Sequence, residues 1–377
     1  MAATAVAAPV PTAPPTDRIA RRPTKILPQS LIEGSRITDK QTFDAAKHVN
    51  FTPPSKIYTM EELGLTGQGL SSTAISEPFP LFTEEAIRQM RSEIFSQTVL
   101  DKHQYKSSFA SNMIRGHCPE DAPFIWDAWN DPHVLDIISK IAGIDLVPAW
   151  PFDTANINIS VNIETDNVGI TSTPQQDNGK PKEEEEMSAF GWHYDSVPFV
   201  CVTMLSDCTN MVGGETMIRT GRGEHMKMRG PTMVCLPFLF QILIDASLGA
   251  KTNTDTFQGT AVIMQGRYIE HQALKAIGGG KERISMVTSL RPRSCLAKDE
   301  VVLTGVRGIS YVPELYFQYA EYRLQALEER VRHQLRVLRR RHDARRDFDT
   351  LEARVWLEEQ RGYIDAMLAE LVEVEVE

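Results

Sequence analysis

Three side chains in the central part of the chain could together hold a metal ion. His193 and Asp195 lie two residues apart in a β-rich run, so both side chains emerge on the same face of a strand. His271 stands at the end of another β-rich run. Two imidazoles and one carboxylate on one side of an ion form a facial Fe(II) site that leaves other coordination positions open. The pattern therefore predicts a metal centre formed by His193, Asp195 and His271.

An arginine and a serine downstream could bind a second reactant. Arg283 follows His271 by twelve residues, and Ser285 shares its strand face. A guanidinium meets a carboxylate with two parallel hydrogen bonds, and a hydroxyl can add another. We therefore expect Arg283 and Ser285 to bind the carboxylate of an organic-acid co-substrate. Alternatively, Arg283 pairs with Glu282 or Glu270 on the surface, and His271 is a core histidine.

The composition is that of a globular protein and disfavours several kinds of partner. Of 377 residues, 42% are hydrophobic and 24% are charged, which is ordinary for a folded chain. A net charge of −10 is repelled by nucleic acid and by anionic membranes, and no apolar run reaches the roughly 20 residues of a membrane helix. Five scattered cysteines without a CxxC pair indicate a reducing compartment. We therefore expect a cytoplasmic protein that binds neither nucleic acid nor membrane.

The first part of the chain divides into a tail and a helical region. Residues 1–50 begin with small residues and prolines and are predicted to be a disordered or extended tail. Residues 51–150 are predicted to form a helical support region. Thr83 precedes an acidic first turn as an N-cap would, and a second helix should begin at Asp131 and end at Gly143.

The second part of the chain changes from sheet to helix. Residues 151–300 contain short β-rich runs broken by glycine and proline without long helices between them, which is typical of an antiparallel sandwich or barrel. In residues 311–377, apolar residues recur at steps of mostly three to five in two segments. This predicts a C-terminal helical hairpin, which could join two subunits into a dimer. The predicted fold class is mainly β with α.

Taken together, these motifs resemble the Fe(II)/2-oxoglutarate-dependent dioxygenase superfamily over roughly residues 156–293. The residues that carry the resemblance are the HxD at His193–Asp195, the GGE at Gly213–Glu215, His271, and the RxS at Arg283–Ser285. The resemblance implies a double-stranded β-helix, or jelly-roll, core whose interior holds the triad and the arginine. It also implies Fe(II) as cofactor, 2-oxoglutarate as co-substrate, O₂, and a small-molecule substrate that is oxidised as succinate and CO₂ form.

Two longer stretches resemble one branch of that superfamily. SAFGWHYDSVPFVCVTMLSD and MQGRYIEHQAL are similar to a fungal biosynthetic branch that includes amino-acid-oxidising, aziridine-forming enzymes. This resemblance implies hydroxylation, desaturation or cyclisation of a small molecule, such as the amino acid valine, in fungal secondary metabolism. The alternative is a catalytically silent barrel that acts as an interaction module through its C-terminal helical hairpin. The intact metal triad and Arg283 argue against that alternative.

Residues 234–258 interrupt the resemblance. They lengthen the spacing between Asp195 and His271 to 76 positions, and joining Met233 to Gly259 would restore a continuous turn and strand. Val-Cys, Thr-Asn and Phe-Gln in this stretch can be encoded by the donor, branch and acceptor sequences of a fungal intron, in that order. We therefore hypothesise a translated intron of 75 nucleotides. The alternative is a genuine loop or short helix inserted between strands.

Overall fold

Nine α-helices lie in the part of the chain that the structure, a computed structural model, describes: residues 26–106, 112–161, 191–208, 211–231, 259–278 and 282–373. They are α1 (Gln29–Gly34), α2 (Ala45–His48), α3 (Glu84–Ile94), α4 (Gln97–His103), α5 (Pro123–Asn130), α6 (Pro132–Ala142), α7 (Thr304–Arg307), α8 (Val312–Asp343) and α9 (Thr350–Glu370). Within those ranges, none of the helices has the length and apolar character needed to cross a membrane.

Fifteen strands form three antiparallel sheets in the same ranges. The strands are β1 (Ile57–Thr59), β2 (Thr73–Ser76), β3 (Phe79–Pro80), β4 (Gln104–Tyr105), β5 (Met113–Ile114), β6 (Leu146–Pro148), β7 (Asn156–Val161), β8 (Phe199–Met204), β9 (Met211–Gly213), β10 (Thr216–Arg219), β11 (His225–Met228), β12 (Thr260–Met264), β13 (His271–Ala273), β14 (Ala276–Gly278) and β15 (Glu282–Pro292). The fold is therefore mixed α and β, with antiparallel rather than doubly wound sheets.

The largest sheet has ten strands and follows the order β1-β2-β12-β8-β15-β7-β5-β4, with β3 paired to β12 and β6 paired to β15. A three-stranded sheet has the order β11-β10-β13, and β9 pairs with β14. Along the chain, β7 and β8 belong to the large sheet, β10 and β11 to the small one, β12 to the large, β13 to the small and β15 to the large. The chain thus passes repeatedly between two sheets.

The two faces of the large sheet bury different sets of side chains. On one face, Ile159 of β7 and Ile284 of β15 join a core cluster with residues of α3, α5 and α6. On the other face, Val262 of β12 joins a second cluster that includes Ile218 of the small sheet, and Val287 of β15 packs against it. Side chains that alternate with Ile284 along β15 therefore face the small sheet.

Two helices of the N-terminal half form as the sequence predicts, because their capping residues act locally. The Thr83 side chain accepts a hydrogen bond from the backbone N–H of Ala86 at the start of α3. Asp131 likewise accepts from the first backbone N–H groups of α6, and Gly143 ends that helix with a φ of 70°. The predictions for α3 and α6 are confirmed.

The region before residue 151 differs from the prediction in two respects. Residues 26–50 are not a tail, because α1 and α2 lie within them and Leu27 and Leu31 are buried in the core; residues 1–25 lie outside the described chain. Residues 51–150 contribute β1 to β6 as well as helices, and all six strands join the large sheet. These strands are two to four residues long, too short to show an alternating pattern in the sequence.

Candidate metal centre

Backbone pairing brings the two histidines together. His193 and His271 face each other across an antiparallel bridge in which each backbone N–H donates to the other carbonyl at 2.9 Å. His271 is held on its other side by β10, where it lies opposite Ile218. The Asp195 backbone N–H donates to the Gly266 carbonyl at 2.9 Å, which ties the segment bearing the carboxylate to the loop before His271. The triad is thus positioned by main-chain hydrogen bonds between segments distant in sequence.

The three side chains converge on one point. The ligand atoms of His193, Asp195 and His271 all lie within 4.8 Å of one another. Each histidine Nε2 is 3.7 Å from Asp195 Oδ1. The Nδ1–H of His193 donates to the Gly191 carbonyl at 2.7 Å, and that of His271 donates to the Ile269 carbonyl at 2.9 Å. These bonds fix the tautomer and leave the Nε2 lone pair of each ring available to a metal ion.

The electrostatic surroundings favour cation binding here. Burial lowers the pKa of His271, although the nearby Asp195 carboxylate opposes this effect, so the ring is neutral and can act as a ligand. Asp195 Oδ2 is buried and has no hydrogen-bond partner among the described residues. A buried carboxylate oxygen without a donor is costly unless a cation neutralises it. Of the described residues, this triad alone forms a group able to hold a metal ion.

Gly266 gives the Asp195 carboxylate its space. A Cβ at residue 266 would overlap Asp195 Oδ2 and lie 3.0 Å from Asp195 Cβ, so the carboxylate would have to move to admit it. Glycine is therefore needed at this position because the carboxylate lies directly against the backbone. Gly266 lies within the stretch MQGRYIEHQAL, but the residue pattern there does not reveal its role, which arises from a close approach in three dimensions.

An arginine braces the segments on which the two histidines lie. Arg219 of β10 pairs with Glu270 at 2.7 Å, and its guanidinium lies 4.9 Å from the centre of the Trp192 ring. Trp192 and Glu270 immediately precede His193 and His271 in the chain. Arg219 thus contacts the neighbours of both histidines of the candidate site at once.

The structure places Arg283 and Ser285 on the face of β15 that looks towards the small sheet, since both alternate with Ile284. Neither carboxylate proposed as an alternative partner for Arg283 is engaged with it: Glu282 pairs with Arg91, and Glu270 pairs with Arg219. Burial lowers the pKa of Arg283, and its Nε has no hydrogen-bond partner in the described ranges. A desolvated guanidinium in this state is ready to bind an anion.

Further polar groups lie beside this arginine. Ser285 is buried and lies opposite Asn158 of β7 in the antiparallel register. Asn158 Oδ1 is buried and, among the described residues, has no partner. The inner face of the large sheet therefore carries a guanidinium, a hydroxyl and an amide in adjacent positions.

Comparisons with known proteins gave structural neighbours only. No family model and no curated protein matches the chain. One solved structure that it is similar to is an oxidoreductase of the 2OG-Fe(II) oxygenase family from Burkholderia pseudomallei, with 11% identity, a TM-score of 0.29, and coverage of 50% of this chain and 70% of that one.

Two further neighbours have similar statistics. A Pseudomonas putida prolyl-4-hydroxylase has 11% identity and a TM-score of 0.31, over 62% of this chain and 97% of that one. AviO1 from Streptomyces viridochromogenes has 13% identity and a TM-score of 0.32, over 58% of this chain and 89% of that one. At such low TM-scores, the function of this chain has to be argued from its own site.

Proposed function

We propose that the protein catalyses an Fe(II)- and 2-oxoglutarate-dependent oxidation of a small molecule. The observation that carries the proposal is the convergence of His193, Asp195 and His271, with both Nδ1 atoms bonded to backbone carbonyls and Asp195 Oδ2 left without a partner. Two neutral imidazoles and one carboxylate suit Fe(II) and leave room in its coordination sphere for a co-substrate and O₂. The residues present therefore fit the ion.

The path of the chain supports a double-stranded β-helix core within residues 151–300. Its strands alternate between the two sheets, and the triad lies where β13 of the small sheet meets the segment of His193. The antiparallel helices α8 and α9 would form the C-terminal hairpin of residues 311–377. The predicted bounds of the core, residues 151–300, and of the hairpin, residues 311–377, are retained as part of this proposal.

The chain's own residues would bind, orient and shield the reactants. Fe(II), when bound, would supply the redox chemistry that couples decarboxylation of 2-oxoglutarate to oxidation of a substrate C–H bond. His193, Asp195 and His271 would hold the ion. Arg283 would bind the distal carboxylate of 2-oxoglutarate, and the Ser285 hydroxyl would donate to the same carboxylate. The buried inner face of β15 would keep water from this contact, which strengthens it.

Replacement of Arg283 by lysine is expected to weaken 2-oxoglutarate binding by roughly ten- to more than a hundredfold. Lysine keeps the charge but loses the planar fork, and loss of a charged hydrogen bond costs about 1.5–3 kcal/mol. The measurement is an anaerobic titration of the Fe(II)-loaded protein with 2-oxoglutarate. Fe(II) affinity should be unchanged, and the exposed Arg293→Lys serves as the matched control. An unchanged 2-oxoglutarate affinity in Arg283→Lys would move the role to Arg291.

The substrate proposed is an amino acid such as valine, in a fungal biosynthetic setting. Only the resemblance of the segments around His193 and His271 supports this finer statement. The test is succinate formation from 2-oxoglutarate with and without each amino acid, in the presence of Fe(II) and O₂. Stimulation by one amino acid and not by others supports the proposal, whereas succinate formation that no amino acid changes excludes this substrate class.

We also propose that residues 234–258 are a translated intron; they lie outside the described residues, so the support comes from what flanks them. The Thr260 hydroxyl donates to the Pro231 carbonyl at 2.6 Å, so the chain before the segment meets the chain after it. The Gly259 backbone N–H donates to the Met204 carbonyl at 2.8 Å. Thr232 and Met233 could bridge Pro231 to Gly259, since each residue spans up to about 3.3–3.6 Å.

Deletion of residues 234–258 is expected to give a more soluble protein with unchanged or higher melting temperature and succinate production. The deletion removes the apolar run LPFLFQILI, which is an aggregation liability if exposed. It also shortens the connection between Pro231 and Gly259, which slightly lowers the entropic cost of closing it. The measurements are soluble yield, thermal unfolding and turnover beside the full chain. A deletion variant that fails to fold while the full chain is soluble and active would show a genuine structural insertion. Sequencing of the transcript should reveal a spliced message.

A further inference from the structure

The helix α8 packs on the β-rich core only near its start. Its buried residues all lie between Leu315 and Arg323. Among the described residues, Arg330 is the last of α8 to form a hydrogen bond with the chain before the helix, donating to the Cys295 and Ala297 carbonyls. Beyond Arg330 the helix continues to Asp343, about 20 Å at 1.5 Å per residue. This part of α8 carries apolar side chains that the β-rich core does not cover. A second packing surface is therefore needed to bury them.

The two C-terminal helices run antiparallel to each other. Arg341 near the end of α8 pairs with Glu352 near the start of α9. Midway, the Arg323 guanidinium lies 3.7 Å from the centre of the Tyr363 ring, and the Tyr363 hydroxyl donates to the Arg323 carbonyl at 3.1 Å. At the other end, Tyr316 Oη donates to the Val372 carbonyl. Arg323 and Tyr363 therefore mark the line along which the helices touch.

Seven apolar side chains on these helices are exposed by 40–67% and recur at helical spacing. Steps of seven and four residues place successive members of each set on one stripe, as in a coiled coil. We call the two sets together the apolar stripe: Phe317, Leu324, Val331 and Leu335 of α8, and Leu357, Ile364 and Leu368 of α9.

Both halves of the apolar stripe lie on the same side of the helix pair. Leu324 and Ile364 each follow the contact residue of their helix by one position, a rotation of about 100°. Because the helices are antiparallel, the same rotation in each carries both side chains to one common face. Equal rotations in opposite senses would instead have placed the two side chains on opposite faces of the helix pair.

The geometry points to a second copy of this chain as the occupant of the apolar stripe, docked about a two-fold axis level with residue 330. In an antiparallel contact between two α8 helices centred there, the two copies of Val331 lie about 3 Å apart along the helix axis, and Leu324 lies within about 1.5 Å of the level of Leu335 of the second copy. The exposed charges beside the stripe then meet opposite charges: Glu321 lies level with Arg339, and the Glu328–Arg332 pair, joined at 2.6 Å within α8, lies level with the same pair of the second copy. Such self-complementarity is what a two-fold interface requires.

Charges beside the α9 half of the stripe have the same symmetry. Exposed Arg354, Glu358, Arg361 and Asp365 follow one another so that an antiparallel second copy opposes Arg354 to Asp365 and Glu358 to Arg361. A partner of unrelated sequence would not require this order of charges along α9. The charge pattern thus favours another copy of the chain over an unrelated protein.

The face is also of suitable size. From Phe317 to Leu335 the stripe is about 27 Å long, and two helices side by side are roughly 20 Å wide. The footprint is therefore roughly 500 Å² before side-chain relief is counted, approaching the roughly 800 Å² per partner of a standard interface. A dimer of four antiparallel helices would bury it.

The test is the mass of the full chain in solution, measured by light scattering and sedimentation over a range of concentrations. The wild type should have twice the 42.3 kDa chain mass. Val331→Asp, which buries two like charges at the axis, should weaken association by at least about a hundredfold. Val355→Asp is the matched control: Val355 is similarly exposed at 48% but lies on the other side of α9 from the stripe, and its dimer should persist.

A charge reversal separates specific docking from general stickiness. Glu321→Arg and Arg339→Glu should each weaken the dimer, and the double variant should restore it, since these two residues are too far apart to pair within one helix. A wild-type monomer at tens of micromolar, or equal effects of Val331→Asp and Val355→Asp, would overturn the inference. Unchanged thermal unfolding of Val331→Asp at low concentration would show that the lost association is not a folding defect.

Discussion

Replacement of Asp195 by alanine is expected to abolish Fe(II) binding and succinate production. Asp195 supplies the only carboxylate among three ligands, so its loss removes both a bond and the negative charge that balances the ion. The effect should exceed the roughly 10–100-fold loss that follows removal of a supporting hydrogen bond. His193→Ala and His271→Ala should behave alike. The measurements are equilibrium dialysis with Fe(II) under anaerobic conditions and succinate formation in air.

Two further substitutions serve as a conservative variant of Asp195 and as a control. Asp195→Glu should also lose most activity, because an added methylene moves the carboxylate beyond the roughly 0.2 Å tolerance of a metal bond. Asp136→Ala is the matched control, since Asp136 is exposed on α6 and, among the described residues, pairs with Lys140. Full succinate production by Asp195→Ala would refute the triad.

Gly266→Ala is expected to lower Fe(II) affinity by about 10–100-fold although residue 266 binds no metal. The new Cβ would overlap Asp195 Oδ2, so the carboxylate has to move away from the point where the three ligands converge. The backbone hydrogen bond between Asp195 and Gly266 can persist, so the fold should survive. The measurements are Fe(II) affinity and the thermal unfolding midpoint.

Gly191→Ala is the control for this substitution. Gly191 also lies beside the site, where its carbonyl accepts from His193, yet a Cβ there meets no heavy atom of the described residues within 4 Å. Its Fe(II) affinity should match the wild type. Equal Fe(II) affinities in Gly266→Ala and Gly191→Ala would mean that Asp195 is not held against residue 266.

The sequence predicted those parts of the fold whose signals are local. Thr83, Asp131 and Gly143 cap their helices through bonds to residues within four positions, so the pattern alone locates α3 and α6. The strands β1 to β6 are stabilised by partners far away in the chain and are too short to carry a periodic pattern. Likewise α1 is helical because Leu31 packs on the core, a cause that the local sequence does not contain.

The candidate site likewise contains residues that a local sequence pattern reveals and residues whose role depends on contacts between distant segments. His193 and Asp195 were predicted to share one face of a strand, but the structure has only an isolated bridge at His193, and the next strand begins at Phe199. That bridge, formed with a partner distant in the chain, brings His271 to them. Gly266 could not be predicted, because its close approach to the Asp195 carboxylate depends on packing of two loops. Arg219 was missed for the same reason: its contacts with Trp192 and Glu270 join three separate segments.

The proposed function requires this triad to hold Fe(II) with positions open to 2-oxoglutarate. An anaerobic titration of the protein with Fe(II) and then with 2-oxoglutarate, followed by visible absorption, tests this requirement. We expect a weak metal-to-ligand charge-transfer band that saturates at one equivalent of Fe(II) and is absent from His271→Ala. A correctly folded wild-type protein that gives no band, or a band of equal strength in His271→Ala, would contradict it and favour a catalytically silent barrel.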